Sequence, residues 1–211
     1  MKKTKKVCPN DYEHEAWAEG KLLLGIDEAG RGPLAGPLTV AGVIFPPDYE
    51  NPDIYDSKAL SESKRQQLYD LIVEDALYFE IINVSPAEID RYNIYRADQM
   101  AFAAIAEDLP GEVILTDAMP IPGSDAIPLV KGDQKSISIA AGSILAKVTR
   151  DRIMKEYDAL YPQYGFAKHK GYPTKAHLLA IEQYGITEIH RRSYGPVAAK
   201  QMSLDLFGEN Q

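Results

Sequence analysis

Short apolar runs separated by turn residues predict several β-strands in the first 130 residues of the chain. Residues 21–27 are mainly leucine and isoleucine, and residues 38–45 are rich in valine, isoleucine and phenylalanine. A glycine-rich turn separates the two runs, and two strands joined by a turn indicate an antiparallel hairpin. Further apolar runs predict three more strands, at residues 78–84, 113–117 and 127–130.

Helical signals lie between these strands and dominate the second half of the chain. Ser61 and Ser85 are typical N-caps, and Ser85 precedes a proline, which is favoured at the first helical position. Small side chains at residues 140–146 predict that one long helix approaches the sheet closely. Apolar periodicity and caps predict helices at residues 61–76, 94–106, 136–157 and 174–184.

Strands followed by alternating strands and helices predict one α/β domain. Its expected architecture is a mixed central β-sheet flanked by helices, with a helical C-terminal region. A chain of 211 residues suits a single domain of this kind. We divide it into an N-terminal leader (1–20, loosely attached, with a short helix near 13–18), a main domain (21–200) and a C-terminal tail (201–211).

Cysteine content and hydropathy exclude several classes of protein. Cys8 is the single cysteine, which rules out an intrachain disulfide and a zinc site built from several cysteines. The N-terminal residues lack the apolar stretch of a signal peptide, and no run approaches the roughly 18 apolar residues of a membrane span. We therefore expect a soluble, cytoplasmic protein without a membrane partner.

Charge is unevenly distributed along the chain, which changes what the net charge of −8 implies. Taken alone, a negative net charge argues against a nucleic-acid partner. Residues 1–130 hold 11 Lys and Arg against 23 Asp and Glu, whereas residues 131–200 hold 12 against 6. A basic segment on an acidic protein can contact phosphates locally, although a solvated surface gives the same pattern.

Carboxylates end or follow three of the predicted strands. Asp27 and Glu28 end the first strand, Asp117 ends the fourth, and Asp133 follows the fifth. Neighbouring strands lie roughly 4.8 Å apart, so these side chains can converge, and clustered carboxylates repel one another unless a cation neutralises them. Such oxygen ligands select Mg²⁺ or Mn²⁺. The alternative is structural, with Asp117 in a turn and Asp133 as a helix cap.

Sequence blocks along the chain resemble bacterial ribonuclease HII, a type 2 ribonuclease H, in content and order. The resemblance covers about residues 20–200 and is specific because the blocks follow one another in the expected order. They are GIDEAGRGPLAGP at 25–37, DSK at 56–58, Asp117, KGD at 131–133, SIAAGSILAKVTRD at 138–151, GYPT at 171–174 and HRRS at 190–193.

This resemblance implies a ribonuclease H-like fold and a catalytic metal site formed by Asp27, Glu28, Asp117 and Asp133. It implies an endoribonuclease that hydrolyses the RNA strand of RNA–DNA hybrids and cuts 5′ of ribonucleotides embedded in duplex DNA, as in ribonucleotide excision repair. Two-metal-ion catalysis with Mn²⁺ or Mg²⁺ would leave 3′-hydroxyl and 5′-phosphate ends. The alternatives are another polynucleotide nuclease of the same fold and a sequence-independent nucleic-acid-binding module.

The same resemblance indicates which residues bind the substrate. Gly30, Arg31 and Gly32 would read the 2′-hydroxyl, and Tyr172 would pack against the deoxyribose that follows the ribonucleotide. Taken alone, the glycines also suit a plain hairpin turn, and Tyr172 suits loop packing. The candidate phosphate contacts are Lys58, Lys147 and Lys170.

Asp151 also lies in a matched block, but we do not assign it to the metal site. It falls within the predicted long helix, beside Arg150 and Arg152. We therefore interpret it as a surface or salt-bridging carboxylate.

The C-terminal tail carries a second resemblance. Residues 201–207, QMSLDLF, are similar to the short peptides by which bacterial replication proteins bind the sliding clamp. A terminal helix that packs its apolar side chains on the domain is the alternative. We expect a monomer whose partners are RNA–DNA hybrids, ribonucleotide-containing duplex DNA and, through the tail, a sliding clamp.

Overall fold

A five-stranded sheet organises the fold in this computed structural model, which describes residues 8–207 and, for residues 203–207, the backbone alone. The order of the strands across the sheet is β3-β2-β1-β4-β5. The strands are β1 (Leu23–Ala29), β2 (Leu38–Ile44), β3 (Tyr78–Val84), β4 (Val113–Asp117) and β5 (Ile127–Leu129).

The sheet is mixed, as predicted. Strands β1 and β2 form the expected antiparallel hairpin, in which Asp27 lies opposite Ala41. Strands β1 and β4 are parallel, and their register pairs Ile26 with Thr116. The residues that follow this pair are Asp27 and Asp117, so the register carries both aspartates to the same level of the sheet.

Helices α1 to α8 and two short 3-10 helices complete the described part of the chain. Ser61 accepts a hydrogen bond from the Lys64 amide (3.2 Å), and Ser85 forms a reciprocal capping box with Glu88. These caps confirm the helix starts predicted from the sequence. The helices are Asp11–Ala18, Glu62–Asp75, Pro86–Tyr92, Ile94–Asp108, Ile137–Leu160, Phe166–His169, Lys175–Tyr184 and Gly195–Phe207, and the 3-10 helices are Ser57–Ala59 and Gly132–Gln134.

Helix α5 packs its small residues directly on the sheet backbone, as the sequence predicted. A Cβ atom at Gly142 would lie 2.7 Å from the Ala41 carbonyl oxygen and 3.3 Å from the Asp27 amide nitrogen. On the facing strand, a Cβ atom at Gly25 would collide with the backbone of Ser138 and Ile139. Glycine at these positions therefore allows the helix to approach β1 and β2 more closely than any side chain would permit.

The chain divides into two compact units. The first comprises residues 1–29, 39–82 and 98–148, and the second comprises residues 30–38, 83–97 and 149–211. The first unit contains most of the sheet, and its core includes Phe45, Ile54 and Ile72. The core of the second unit is built from side chains of the C-terminal helices and of residues 34 and 35.

The N-terminal residues contribute to the core of the first unit from Cys8 onward. Cys8 and the α1 residues Glu13 and Ala16 are buried, and the Glu13 carboxylate accepts hydrogen bonds from the Ser136 hydroxyl (2.5 Å) and the Ser138 amide (3.1 Å). The domain boundaries at residues 20 and 200 stay a prediction. Among the described residues, no helix is both long enough and apolar enough to cross a membrane.

Candidate active site

Three of the predicted carboxylates meet at one end of the sheet. One carboxylate oxygen from each of Asp27, Asp117 and Asp133 lies within 4.8 Å of the other two. Asp27 belongs to β1, Asp117 is the last residue of β4, and Asp133 lies in the 3-10 helix after β5. We call these three residues the acidic cluster.

The turn before Asp133 is fixed by Asp117 itself. The Gly132 amide donates a hydrogen bond of 2.8 Å to Asp117 Oδ1, and Lys131 adopts a left-handed conformation with φ of 58°. Asp117 thus supports the turn before Asp133 while remaining in the acidic cluster, whereas the role considered for it was in the turn that directly follows it in the chain. The capping role considered for Asp133 belongs to Ser136, whose hydroxyl accepts a hydrogen bond from the Ile139 amide (3.2 Å).

The carboxylates of the cluster repel one another, and two of the three, Asp27 and Asp133, are buried away from water. Asp27 is 3% exposed, and its pKa is raised well above the ordinary value by burial and then by the charges of Glu28 and Asp117. Burial, followed by the charges of Asp117 and Asp56, raises the pKa of Asp133 to about 6. A divalent cation would relieve this repulsion, so the donor set fits an Mg²⁺ or Mn²⁺ site.

Glu28 is close to the cluster but is not one of the three converging side chains. Its amide donates a hydrogen bond of 2.7 Å to Asp27 Oδ1, and its own side chain is half-buried. Successive side chains of a strand point to opposite faces, which explains why Asp27 and Glu28 do not converge in the same way. Its role as a fourth metal ligand stays a prediction.

Two buried serines support Asp27, and sequence reasoning did not assign them a role. The Ser143 hydroxyl hydrogen-bonds to the Asp27 carboxylate, and Ser143 Oγ lies 2.9 Å from Ser57 Oγ. Both serines fall inside the blocks that resemble ribonuclease HII. The pairing brings together residues 86 positions apart, so no local pattern could have revealed it.

Two of the three predicted phosphate-binding lysines belong to the first unit. Burial lowers the pKa of Lys58, but the charges of Asp27, Asp133 and Asp56 outweigh this effect and raise it overall. The Lys58 ammonium therefore stays protonated beside the acidic cluster. Lys147 is half-buried on α5.

The glycine segment, residues 30–37, lies in the second unit and is constrained by its surroundings. Gly30 and Gly36 have φ angles of 103° and 85°, which side-chain-bearing residues rarely adopt. A Cβ atom at Gly30 would collide with the Arg150 side chain. Arg150 is 1% exposed and donates hydrogen bonds to the carbonyls of Pro37 (2.8 Å), Ala35 (3.1 Å) and Lys170 (3.0 Å).

Tyr172 lies beside the glycine segment, within the same unit. Tyr172 is 45% exposed, and a Cβ atom at Gly32 would lie 3.6 Å from its Cε1 atom. Lys170 has a left-handed backbone, and its ammonium donates a hydrogen bond to the Ala167 carbonyl. The structure thus brings Gly32 and Tyr172 together and places Lys170 in a local contact.

Asp151 differs from its sequence-based interpretation. It is 7% exposed, so its interpretation as a surface carboxylate is wrong, while the salt-bridging alternative stays a prediction. The acidic cluster does not include it. The neighbouring arginines suggested that this stretch of helix faces solvent. Arg150 is nevertheless buried, and its guanidinium tolerates burial because main-chain carbonyls accept its hydrogen bonds.

Two buried histidines form a directional hydrogen-bond chain that ends at Tyr172. The Thr187 amide donates to His190 Nδ1 (3.0 Å), so the proton of neutral His190 lies on Nε2. His190 Nε2 therefore donates to His177 Nε2, and these two nitrogen atoms are 3.1 Å apart. The proton of neutral His177 then lies on Nδ1, which donates to the Tyr172 carbonyl at 3.0 Å. Burial lowers the pKa of both imidazoles to about 4, which is consistent with two neutral rings.

Comparison with known proteins agrees with this arrangement. The family model described as ribonuclease HII matches residues 24–197. The ribonuclease HII of Clostridioides difficile is 53% identical over 190 residues, which cover 88% of this chain and 74% of that protein. The ribonuclease HII of Francisella philomiragia is 51% identical over 180 residues, which cover 83% of this chain and 97% of that protein.

Solved structures with a similar fold include three ribonucleases. The ribonuclease H2 of Pyrococcus horikoshii superposes with a TM-score of 0.74 at 24% identity, over 87% of this chain and 99% of that one. The ribonuclease HII of Archaeoglobus fulgidus, solved in complex with PCNA, superposes with a TM-score of 0.71 at 27% identity. The match covers 82% of this chain and 95% of that one. Bst ribonuclease HIII, solved in complex with Mn²⁺, superposes with a TM-score of 0.61 at 15% identity. The match covers 87% of this chain and 70% of that one.

These similarities account for both the fold and the order of the sequence blocks. The sheet and its helices have the ribonuclease H-like fold, and the matched region includes the acidic cluster and the glycine segment. The chain therefore belongs to the ribonuclease HII family and is a hydrolase, an endonuclease of the ribonuclease H class.

Proposed function

We propose that this chain hydrolyses the RNA strand of RNA–DNA hybrids and cuts on the 5′ side of ribonucleotides embedded in duplex DNA. The products would be a 3′-hydroxyl and a 5′-phosphate. The observation that carries the proposal is the convergence of Asp27, Asp117 and Asp133 within 4.8 Å, in a chain whose relatives are ribonucleases HII. Such a site suits hydrolysis of a phosphodiester without sequence readout.

The acidic cluster and Glu28 would hold Mn²⁺ or Mg²⁺. When bound, two such ions supply an activated water and charge stabilisation for the departing 3′-oxygen. The chain's own carboxylates fix where the cation binds, and the Ser143 hydroxyl orients Asp27 by hydrogen bonding. The fold similarity to Bst ribonuclease HIII, which was solved with Mn²⁺, favours testing that ion first.

We assign substrate recognition to three groups of residues. The backbone of Gly30, Arg31 and Gly32 would contact the 2′-hydroxyl, which distinguishes RNA from DNA. The exposed ring of Tyr172 would pack on the next sugar. Phosphates would be bound by Lys58, Lys147 and Lys170.

The acidic cluster separates this function from one of the two alternatives, and the reading of a 2′-hydroxyl separates it from the other. A module that only binds nucleic acid gains nothing from clustered carboxylates near a polyanion, because they repel phosphates. A general nuclease of the same fold would use the cluster but would have no need to read a 2′-hydroxyl. We place the reaction in the cytoplasm, in ribonucleotide excision repair, and expect a monomer.

The decisive experiment uses a labelled DNA duplex that contains one ribonucleotide and an all-DNA duplex as its control. Cleavage only on the 5′ side of the ribonucleotide, with Mn²⁺ or Mg²⁺ and not with EDTA, is the expected result. Equal cutting of both duplexes would favour the general nuclease. Tight binding without cleavage in either metal would leave only the binding module.

Replacing Gly32 with alanine is expected to impair cleavage without impairing folding. The added methyl group would meet only Tyr172, at an ordinary contact distance of 3.6 Å. Between the backbone and a bound sugar, however, it would cost about 1–3 kcal/mol, or roughly 5- to 150-fold in cleavage of the ribonucleotide duplex. The measurement is the cleavage rate beside the thermal unfolding temperature.

Gly30→Ala provides the contrast for this variant. It combines a φ of 103° with a collision against Arg150, so it should lower the unfolding temperature as well as the activity. Wild-type cleavage by Gly32→Ala would argue against close approach of the sugar at this position.

We further propose that the C-terminal tail binds a sliding clamp. The support is the QMSLDLF sequence and the similarity to an archaeal ribonuclease HII solved with PCNA. Residues 195–207 form helix α8, while the tail side chains from residue 203 lie outside the described part of the chain. Deleting residues 201–211 should abolish clamp binding in a pull-down and leave cleavage intact. Undiminished clamp affinity in the truncated chain would refute this role.

A further inference from the structure

Arg191 is a buried cation whose hydrogen bonds go to the glycine segment. Its side chain comes from the HRRS block, and Arg191 is fully buried. Nη2 donates to the Gly30 carbonyl at 2.6 Å, Nη1 to the Arg31 carbonyl at 3.0 Å, and Nε to the Gly36 carbonyl at 3.0 Å. One guanidinium thus holds both ends of the segment.

Tyr194 reinforces the contact with Arg31. Its hydroxyl accepts a hydrogen bond from Arg191 Nη1 (3.0 Å) and donates one to the Arg31 carbonyl (2.6 Å). The Arg31 carbonyl therefore receives two donors, one for each of its lone pairs. This carbonyl has no lone pair left to accept a hydrogen bond from a ligand hydroxyl. Main-chain amides and the Gly30 carbonyl remain as possible contacts in this part of the segment.

A lysine could not replace Arg191 in this arrangement. The three carbonyls lie on different sides of the planar guanidinium, and only its fixed fork of N–H groups donates in all these directions at once. Burial lowers the pKa of Arg191, while Tyr194 opposes that change. The buried charge is thus stabilised by the dipoles of the same carbonyls whose positions it fixes.

We propose that Arg191 is a positioning residue that determines how well the enzyme distinguishes a ribonucleotide from a deoxyribonucleotide. It acts through the main chain of Gly30 and Arg31, together with Tyr194, and has no contact with the reacting atoms. This inference rests on the proposed function, in which the glycine segment reads the 2′-hydroxyl. Without the fork, the segment loses its fixed shape and its preference for ribose.

The test compares affinities for two duplexes rather than activity alone. Binding to a duplex with one ribonucleotide and to an all-DNA duplex is measured by fluorescence anisotropy in EDTA. The variants are Arg191→Lys and Tyr194→Phe, and Arg192→Lys, at an exposed neighbouring arginine, is the matched control. Tyr194→Phe removes one hydroxyl and keeps the ring, so it remains informative if Arg191→Lys folds poorly.

The expected result is a loss of preference with little loss of general affinity. The ratio of the two dissociation constants should fall about tenfold in Arg191→Lys and several-fold in Tyr194→Phe, because charge-assisted hydrogen bonds are lost. Affinity for the all-DNA duplex should change less than about twofold, and Arg192→Lys should behave as the parent.

Two outcomes would overturn the inference, and they can be told apart. If both variants bind the two duplexes with the parental ratio, or weaken both equally, Arg191 has only a structural role and the proposed function stands. If the parent protein itself shows no preference for the ribonucleotide, the proposed reading of the 2′-hydroxyl fails, and the role of Arg191 fails with it.

Discussion

Asp27→Asn is expected to lower the cleavage rate at least about 10³-fold while leaving the metal-free protein as stable as the parent or more stable. The loss follows because metal-ion catalysis is worth several kcal/mol, and each 1.4 kcal/mol is a factor of ten. The stability gain follows because Asp27 is buried beside Glu28 and Asp117. An amide of the same shape removes that repulsion.

The sign of the stability change is set by the raised pKa of Asp27. The folded protein binds the carboxyl proton of Asp27 more tightly than the unfolded chain does. Ionisation of Asp27 therefore begins to destabilise the folded state when the pH rises through the unfolded pKa of 3.8, and the destabilisation is complete above the folded pKa. At neutral pH the penalty is present in the parent and absent in the variant.

Single-turnover cleavage and thermal unfolding in EDTA would measure the two effects. Added Mn²⁺ should raise the unfolding temperature of the parent by more than that of Asp27→Asn. Asp125→Asn, at an exposed loop position, is the matched control and should change neither property. A variant that keeps a tenth or more of the parental rate would show that Asp27 is not a metal ligand.

Acidification from pH 6.5 to 4 is expected to cost stability on the order of 3 kcal/mol through His177 and His190. Their folded pKa values of about 4 lie below the ordinary value of 6.5, mainly because of burial. In this window the unfolded chain binds protons that the folded protein excludes, so stability falls as the pH falls. Because the two rings are coupled, the total is smaller than two independent contributions would give.

Urea unfolding at pH 7, 6.5, 5.5, 4.5 and 4 would measure this loss. His190→Asn removes one of the two titrating rings and should flatten the pH dependence, even if it lowers stability at pH 7. His14→Asn, at an exposed histidine on α1, should keep the parental slope. A parental slope in His190→Asn would show that other groups dominate acid unfolding.

The local features of the fold could be predicted from the sequence because their causes are local. Ser61, Ser85 and Thr174 cap helices that begin where each hydroxyl can accept an amide hydrogen bond. The β1–β2 hairpin follows from two apolar runs joined by a glycine-rich turn. Helix α6, at residues 166–169, was not predicted because four residues are too few for a periodic signal.

The supports of the candidate site could not be predicted, because they join residues far apart in the chain. Arg191 contacts Gly30 across 161 positions, and Ser57 contacts Ser143 across 86. Resemblance marked all four residues as parts of matched blocks without showing what they touch. The error at Asp151 has the same origin, since charge beside charge on a helix does not reveal which side is buried.

The close packing of Gly142 on the sheet makes the geometry of the acidic cluster sensitive to mutations that alter no carboxylate. Any side chain at residue 142 would press on the amide nitrogen of Asp27 itself, as well as on Ala41. A mutational scan should therefore find intolerant positions in the middle of α5 that share no chemistry with catalysis. Designers who wish to stabilise this helix by replacing its glycine with alanine would instead disturb the strand that carries Asp27.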